Sequence, residues 1–314
     1  MDKALESTEG TATATCPGVT VIVLNWNGAQ TTLDCLTTVC AQDYPRYTVA
    51  VVDNGSTDGS PVIIGSAFPQ VELITLTRNV GLSEGYNAGL RWALEQGCRY
   101  VLLLNNDVAL AGDMLRVLVE EAERDPQAGL VSPKIFLGPP PSDRLYWTGG
   151  WFTLNPFRAP TRGYRCRDRG CWEDVCEADL SANTAVLARV EMVQAVGLLD
   201  PDYFYMCEDF DWSLRARQAG FRVLFVPHAH VWHLESATMG FLSPRMVYYY
   251  VRNMLLLSQR YLPHWRALRA MLYLQVPLFM VALLVIGRAD GLRAPLWAVE
   301  DYRAGRFGQS ERRF

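Results

Sequence analysis

Four apolar runs in the first 110 residues each stop abruptly on a polar cluster, and this repetition limits the folds open to the chain. VTVIVL runs into Asn25, Trp26, Asn27 and Gly28, and TVAVV into Asp53, Asn54, Gly55, Ser56, Thr57 and Asp58. VELITL runs into Thr77, Arg78, Asn79 and Gly81, and VLLL into Asn105, Asn106 and Asp107. Continuous apolar runs of this length read as strands buried on both faces. Helical spacing falls between and after them, at Ala29 to Ala41, Leu82 to Gln96 and Gly112 to Arg124, the last stopped by Asp125-Pro126. Strands alternating with helices at this pitch predict βαβ units, hence an α/β fold with a mostly parallel, Rossmann-like sheet flanked by helices. Ligands of such sheets bind beyond the carboxyl ends of the strands, where all four polar clusters fall.

Asp107 is the sharpest of these tips. A helix cap would explain it, but a carboxylate ending a wholly apolar strand beside two amides better fits a ligand to Mg²⁺ or Mn²⁺. Such an ion takes one or two carboxylates and completes its shell with phosphate oxygens and water. It neutralises the charge on a departing diphosphate. Asp53, directly at its strand end, is placed to contact a ribose or a base, whereas Asp58 reads as an Asx-turn holding the loop. Gly81, Gly85 and Gly89 form a bare helical stripe, open either to a ligand or to close packing on the sheet. Glu208, Asp209 and Asp211 crowd the start of a helix predicted at Glu208 to Ala219, more acid than capping needs. A carboxylate there stays ionised, as a general base must. His228, His230 and His233 follow the predicted strand FRVLFVP. Alternation separates His233 from the other two, so the three do not share one ion, and one of them is available to the metal or the diphosphate.

Between Pro133 and Cys176 the pattern becomes loop-rich, with Trp147, Trp151, Phe152, Phe157 and Tyr164 available either to stack on sugar rings or to cover a small satellite core. The eight cysteines read as reduced thiols, and the five-residue recurrence of Cys166, Cys171 and Cys176 is not a zinc spacing. Residues 245–314 carry eleven arginines and no lysine against four acids, while the rest of the chain is acidic. No basic face interleaved with aromatics occurs in the body, which argues against nucleic acid as a partner. Residues 270–287 form an 18-residue apolar run interrupted by Gln275 and Pro277. A single span would export the last six arginines, against the positive-inside tendency. An in-plane or re-entrant anchor is expected instead, with Arg266, Arg269, Arg288 and Arg293 at the lipid surface.

In order along the chain, LNWNG, TLDCL with AQDYP, VVDNGSTDGS, TRNVGLSEGYNAG, LLLNND, EDFDW followed by RARQAG, VPHAHVWHLES and YYYVRNMLLL resemble a known family over about residues 19–257. It is the inverting nucleotide-sugar glycosyltransferases of family 2, of GT-A fold, and especially their rhamnosyltransferase-like branch. The resemblance implies that Asp53 holds the nucleotide base and that Asn79 and Gly81 belong to a further nucleotide-contacting segment. Asn25, Asn27, Asn106 and Glu208 are grouped with these as nucleotide-sugar contacts. It also implies that Asp107 is the last acid of a D-x-D metal motif, that Asp209 is the catalytic base of an E-D motif, and that His233 lies near the metal and diphosphate. Two departures stand out: Asn105-Asn106-Asp107 keeps one carboxylate of the D-x-D motif, and SANTAVLARV replaces a small G-A pair on the acceptor side. The processive Q-x-x-R-W motif is absent, so one sugar per encounter is expected.

The expectation is a flexible tail at 1–17, a GT-A catalytic domain at 18–244 and a basic, helical, membrane-associated tail at 245–314. The enzyme would work at the cytoplasmic face of the cell membrane. It would move one sugar, such as rhamnose or another hexose, from a nucleoside diphosphate donor to a glycan or polyprenyl-linked acceptor. A non-catalytic nucleotide-sugar-binding scaffold is the alternative. A sugar nucleotidyltransferase would need a Gly-rich loop with a basic residue after the first strand, and LNWNGAQTT has neither.

Overall fold

The computed structural model describes residues 16–154, 157–158, 161–182, 184–234, 243–261 and 274–314. The apolar runs form β1 (Val19–Asn25), β2 (Tyr47–Asp53), β3 (Glu72–Thr75) and β4 (Tyr100–Asn105), all parallel, with α1 (Ala29–Val39), α2 (Ser60–Ala67) and α3 (Gly81–Glu95) as crossovers. After β4 the chain makes a short strand β5 (Val108–Leu110) and helix α4 (Met114–Arg124). Next come β6 (Ala128–Leu137), β7 (Leu145–Trp147), the ribbon strands β8 (Thr153–Leu154) and β9 (Phe157–Arg158), β10 (Cys176–Ala178), and β11 (Ala185–Arg189) leading into α5 (Val190–Val196). The elements α6 (Glu208–Gln218), β12 (Arg222–His233), α7 (Pro244–Tyr261), α8 (Val276–Val285) and α9 (Ala294–Arg303) complete the described chain.

The sheet order is β10-β12-β6-β11-β4-β1-β2-β3. β11 is antiparallel to both neighbours, and β5 pairs antiparallel with the far end of β12. The central strands are apolar on successive residues over most of their length because each face has its own core. Val101 and Leu103 of β4 join Ile22 and Leu24 of β1 under α3, whereas Leu102 and Leu104 join Val21 and Val23 under α1 and α4.

The glycine stripe of α3 is explained by close packing. A Cβ on Gly89 would lie 2.6 Å from Ile22 Cγ2, and one on Gly85 2.8 Å from Leu24 Cδ1. Gly81 starts the helix at φ 89°, and a Cβ there would meet the Phe204 carbonyl at 2.4 Å. The helix therefore lies against both the sheet and the segment around residue 204.

Two expectations are corrected. The strand expected to end at Pro227 continues to His233, with a shift in its pairing to β6 between Val226 and His230. The three histidines thus lie within a strand, not beyond it. The loop-rich region expected from Pro133 begins only after Leu137, because β6 runs through Pro133 as a buried strand. Beyond it, Trp151 packs on the α3-side core with the Arg162 guanidinium 3.5 Å over its ring, and Phe152 meets Phe210 edge-on. The side chain of Phe157 and most of the tail expected at 1–17 lie outside the described residues.

The C-terminal helices share a third core with the segment before α6. Tyr203, Phe204 and Cys207 pack with Val247, Val251 and Met254 of α7, Leu283 of α8, and Ala298 of α9. Of the apolar run at 270–287, residues 270–273 lie outside the described part, as do Arg266 and Arg269. Residues 276–285 form α8, whose outer face exposes Leu278, Val281, Leu284 and Val285, the last 80% accessible. Among the described residues, no helix is long and apolar enough to cross a membrane.

Candidate active site

The parallel register of β1 and β2 sets Asn25 opposite Asp53, and the two side chains meet at their strand tips. Asn25 Nδ2 donates to Asp53 Oδ1 at 2.6 Å, and the Ser56 backbone N–H donates to Oδ2 at 2.9 Å. Asn25 Oδ1 in turn accepts from Thr32 Oγ1 at 2.8 Å and from Asn106 Nδ2 at 3.3 Å. Asn27, at φ 50°, takes the Thr57 N–H on its Oδ1 at 2.8 Å and gives its own N–H to Ser56 Oγ at 2.8 Å. Asn25, Asn27, Asp53 and Asn106 thus belong to one network across three strand tips. Asp53 is fully buried, and each of its oxygens holds one structural bond while keeping a second lone-pair direction.

Asn79 and Gly81 join this network through Asn54. Asn79 Oδ1 accepts the Gly81 N–H at 2.9 Å, and Asn54 receives the Val80 N–H at 2.9 Å while donating to the Gly81 carbonyl at 3.0 Å. The β2 tip can approach so closely because Gly55, at φ 70°, has no Cβ; one would sit 2.3 Å from the Arg78 carbonyl carbon.

Asp107 and His233 are brought together by the antiparallel pairing of β5 and β12. Val108 is the register partner of His233, and the Leu234 N–H donates to the Asp107 carbonyl at 2.9 Å. His233 Nε2 consequently lies 3.3 Å from Asp107 Oδ1, with both side chains nearly buried. The imidazole stands edge-on to Tyr146 at 4.6 Å, and its Nδ1 is buried with no hydrogen-bond partner among the described residues. His228 is exposed, and His230 packs edge-on against Phe136, its pKa pushed down by burial and then by Lys134. Neither joins Asp107.

Glu208 and Asp209 open α6 immediately after Met206 and Cys207, which both hold φ 71°. They line a cavity of about 350 Å³ together with Asn105, Tyr146, Tyr164 and Tyr205. Trp147 also lines it, so the loop aromatics divide between the cavity wall and the core. Burial raises the hydroxyl pKa of Tyr205 to about 12, and the negative charges of Glu208 and Asp107 add to the rise. Burial likewise raises Tyr146, assisted by Tyr164, Asp209 and Asp107. The fields of Asp107 and of the α6 acids therefore overlap at one cavity wall.

Asp211 does not belong with them. It is buried on the other side of α6, where it receives Arg215 Nε at 2.7 Å and the Tyr261 hydroxyl at 2.9 Å. Sequence reasoning missed Tyr146 and Tyr205 as cavity residues, because a three-residue strand and a loop are too short to carry a period that says which way they face. Thr184, Leu82 of α3 and Tyr250 of α7 also line the cavity, and only the packing of distant elements brings them there.

The donor set at Asp107 suits a hard divalent cation. It offers one carboxylate beside one imidazole whose second nitrogen is unsatisfied. No group of three potential ligands converges among the described residues, so the remaining positions of such an ion would fall to phosphate oxygens and water.

A mostly parallel sheet of this order, with polar clusters at its strand tips and acids lining the cavity beside it, is the architecture of the GT-A fold. The structure of GalNAc-T7 with UDP, GalNAc and Mn²⁺ is similar at a TM-score of 0.59 and 17% identity, over 76% of this chain and 47% of that one, so the chain spans about half its length. The mannosyltransferase PcManGT from Pyrobaculum calidifontis, in complex with GDP-Man and Mn²⁺, is similar at a TM-score of 0.56 and 19% identity, over 92% and 75% of the two chains. The sequence model of Glycosyl transferase family 2 matches residues 20–172. The N-acetylglucosaminyl-diphospho-decaprenol L-rhamnosyltransferase of Mycobacterium tuberculosis (strain ATCC 25618 / H37Rv) is 27% identical over 242 residues, 70% of this chain and 77% of that protein. Together these likenesses support a family 2 glycosyltransferase of rhamnosyltransferase-like type.

Proposed function

We propose that this enzyme transfers a single deoxyhexose such as rhamnose, with inversion, from a nucleoside diphosphate donor to a glycan or polyprenyl-linked acceptor in cell-surface polysaccharide synthesis. The observation that supports the reading is that Asp209 and Tyr146 line one cavity and that the Tyr146 ring stands edge-on to His233, the partner of Asp107. The strand-tip network of Asn25, Asn27, Asp53, Asn79, Gly81 and Asn106 receives the nucleotide, and Glu208 faces the donor sugar. Asp209 takes the proton of the acceptor hydroxyl as that oxygen bonds to the anomeric carbon and the bond to the diphosphate breaks. One displacement inverts the configuration. Asp107 and His233 would hold Mg²⁺ or Mn²⁺, which when bound supplies positive charge to the leaving diphosphate. The preference for rhamnose is supported by the relative from Mycobacterium tuberculosis, and a lipid-linked acceptor by the diphospho-decaprenol in its name.

A second element of the proposal is attachment to the cytoplasmic face of the membrane. The exposed apolar face of α8 is followed by Arg288 and Arg293, the arrangement of a helix lying in an anionic lipid surface.

The test is a donor panel of UDP-, GDP- and dTDP-sugars with Mg²⁺ or Mn²⁺, scored for binding and for slow hydrolysis without acceptor. A metal-dependent response to one donor, lost in Asp107→Ala, supports the assignment. Donor binding without turnover under any acceptor condition would replace it with a nucleotide-sugar-binding scaffold.

A further inference from the structure

Cys207 and Met206, the two residues before Glu208, both occupy the left-handed region at φ 71° although neither is glycine. Such a conformation is strained for a residue with a Cβ and persists only when its surroundings enforce it. The enforcing contacts come from α7. Asn253 is fully buried, and its Nδ2 donates to the carbonyls of both Tyr205 and Met206, each at 2.8 Å. Its Oδ1 accepts from Arg252 Nε at 3.0 Å, which aims the amide at those carbonyls. Arg252 is itself 1% exposed and donates to the carbonyls of Asp202 at 3.2 Å and Gly308 at 2.8 Å. The Gly308 N–H returns to the Asp202 carbonyl at 2.9 Å. One adjacent pair on α7 therefore spans the stretch 202–206 and ties it to the C-terminal segment.

We infer that Asn253, oriented by Arg252, is a positioning residue for Asp209: it holds the left-handed Met206-Cys207 turn that aims the first turn of α6 into the cavity. The inference rests on the reading of Asp209 as base. Among the described residues the hydrogen bonds of Asn253 run to Arg252 and to the Tyr205 and Met206 carbonyls and not to the strand-tip network, so the effect falls on the chemical step and not on nucleotide binding. The two amide bonds stabilise a backbone shape, and glycine at position 206 would adopt that shape without them.

The test is a double-mutant cycle on the full chain, measuring kcat, the donor KM and the affinity for the nucleoside diphosphate. Asn253→Ala alone should lower kcat roughly 10- to 100-fold, the scale of a misplacement near 1 Å, with nucleotide affinity within about twofold. In a Met206→Gly background the same change should cost less than about threefold. Equal losses in the two backgrounds, an unchanged kcat in Asn253→Ala, or failure of both Asn253 variants to fold would overturn the inference. Asp209→Asn, assayed beside them, separates the two claims. Full activity of Asp209→Asn removes the base assignment, and with it the inference. Loss there with no loss in Asn253→Ala removes the positioning role alone.

Discussion

His233 Nε2 lies 3.3 Å from Asp107 Oδ1, and the pair exists because β5 turns back from β4 to run antiparallel to the end of β12. The imidazole adds a second donor beside the one carboxylate left at Asn105-Asn106-Asp107. His233→Ala is therefore expected to lower donor affinity in Mn²⁺ by about 10- to 100-fold, the range for loss of a group supporting a metal site. Affinity measured in chelator should not change. Titration calorimetry of the nucleoside diphosphate with and without Mn²⁺ checks this, and equal losses in both conditions would speak against a metal at this pair.

Asp211 stands apart from the two cavity-lining acids of α6. Removing it leaves Arg215, Arg260 and the Tyr261 hydroxyl without their buried partner. Asp211→Ala is expected to destabilise the fold by roughly 2–4 kcal/mol, at or below the cost of breaking a fully buried pair because both arginines keep some solvent. The donor KM should be unchanged. Urea unfolding together with steady-state kinetics decides; an increased donor KM would place Asp211 in the donor site.

Asp301 makes the C-terminal segment sensitive to acid. Burial pushes its carboxyl up, but hydrogen bonds from Arg312, Tyr248 and Arg306 prevail and hold it well below the usual carboxylate range. A depressed folded-state pKa gives stability that is complete above the unfolded value near 4 and drains away as pH falls below it. The difference in melting temperature between wild type and Asp301→Asn should thus be constant above about pH 5 and shrink below about pH 4. A difference that does not vary with pH would mean that the charge contributes nothing.

The outer face of α8 supplies a test of membrane attachment. Sedimentation with vesicles containing anionic lipid should retain the wild-type chain and lose the Leu278→Ser, Val281→Ser, Val285→Ser triple variant. These side chains are exposed, so their replacement should leave the melting temperature unaltered. Equal retention of both proteins would direct attention to another surface.

Much of the strand-tip cluster was legible before any tertiary contact was known. An unbroken apolar run has one stable destination, a strand covered on both faces, and a polar residue at its end must point out of the sheet. Asn25, Asp53 and Asp107 were found this way. The glycine stripe was legible as a close approach, but its partner was not: only the structure shows Ile22 and Leu24 beneath Gly89 and Gly85. The three acids of α6 looked alike in sequence, and helical rotation alone turned Asp211 toward Arg215 and Arg260.

The sequence by itself determined the βαβ order, the strand tips and the acid-rich start of α6, because these depend on local periodicity and on where an apolar run stops. The tertiary structure decided which distant groups meet. His233 reaches Asp107 through an antiparallel strand pairing, Tyr146 becomes a cavity wall through the pairing of β7 with β6 and Tyr205 through a loop path, and Asn253 reaches the Tyr205 and Met206 carbonyls through helix packing. Each contact joins segments far apart in the chain, and no short-range pattern records a partner that only the closure of the whole fold brings near.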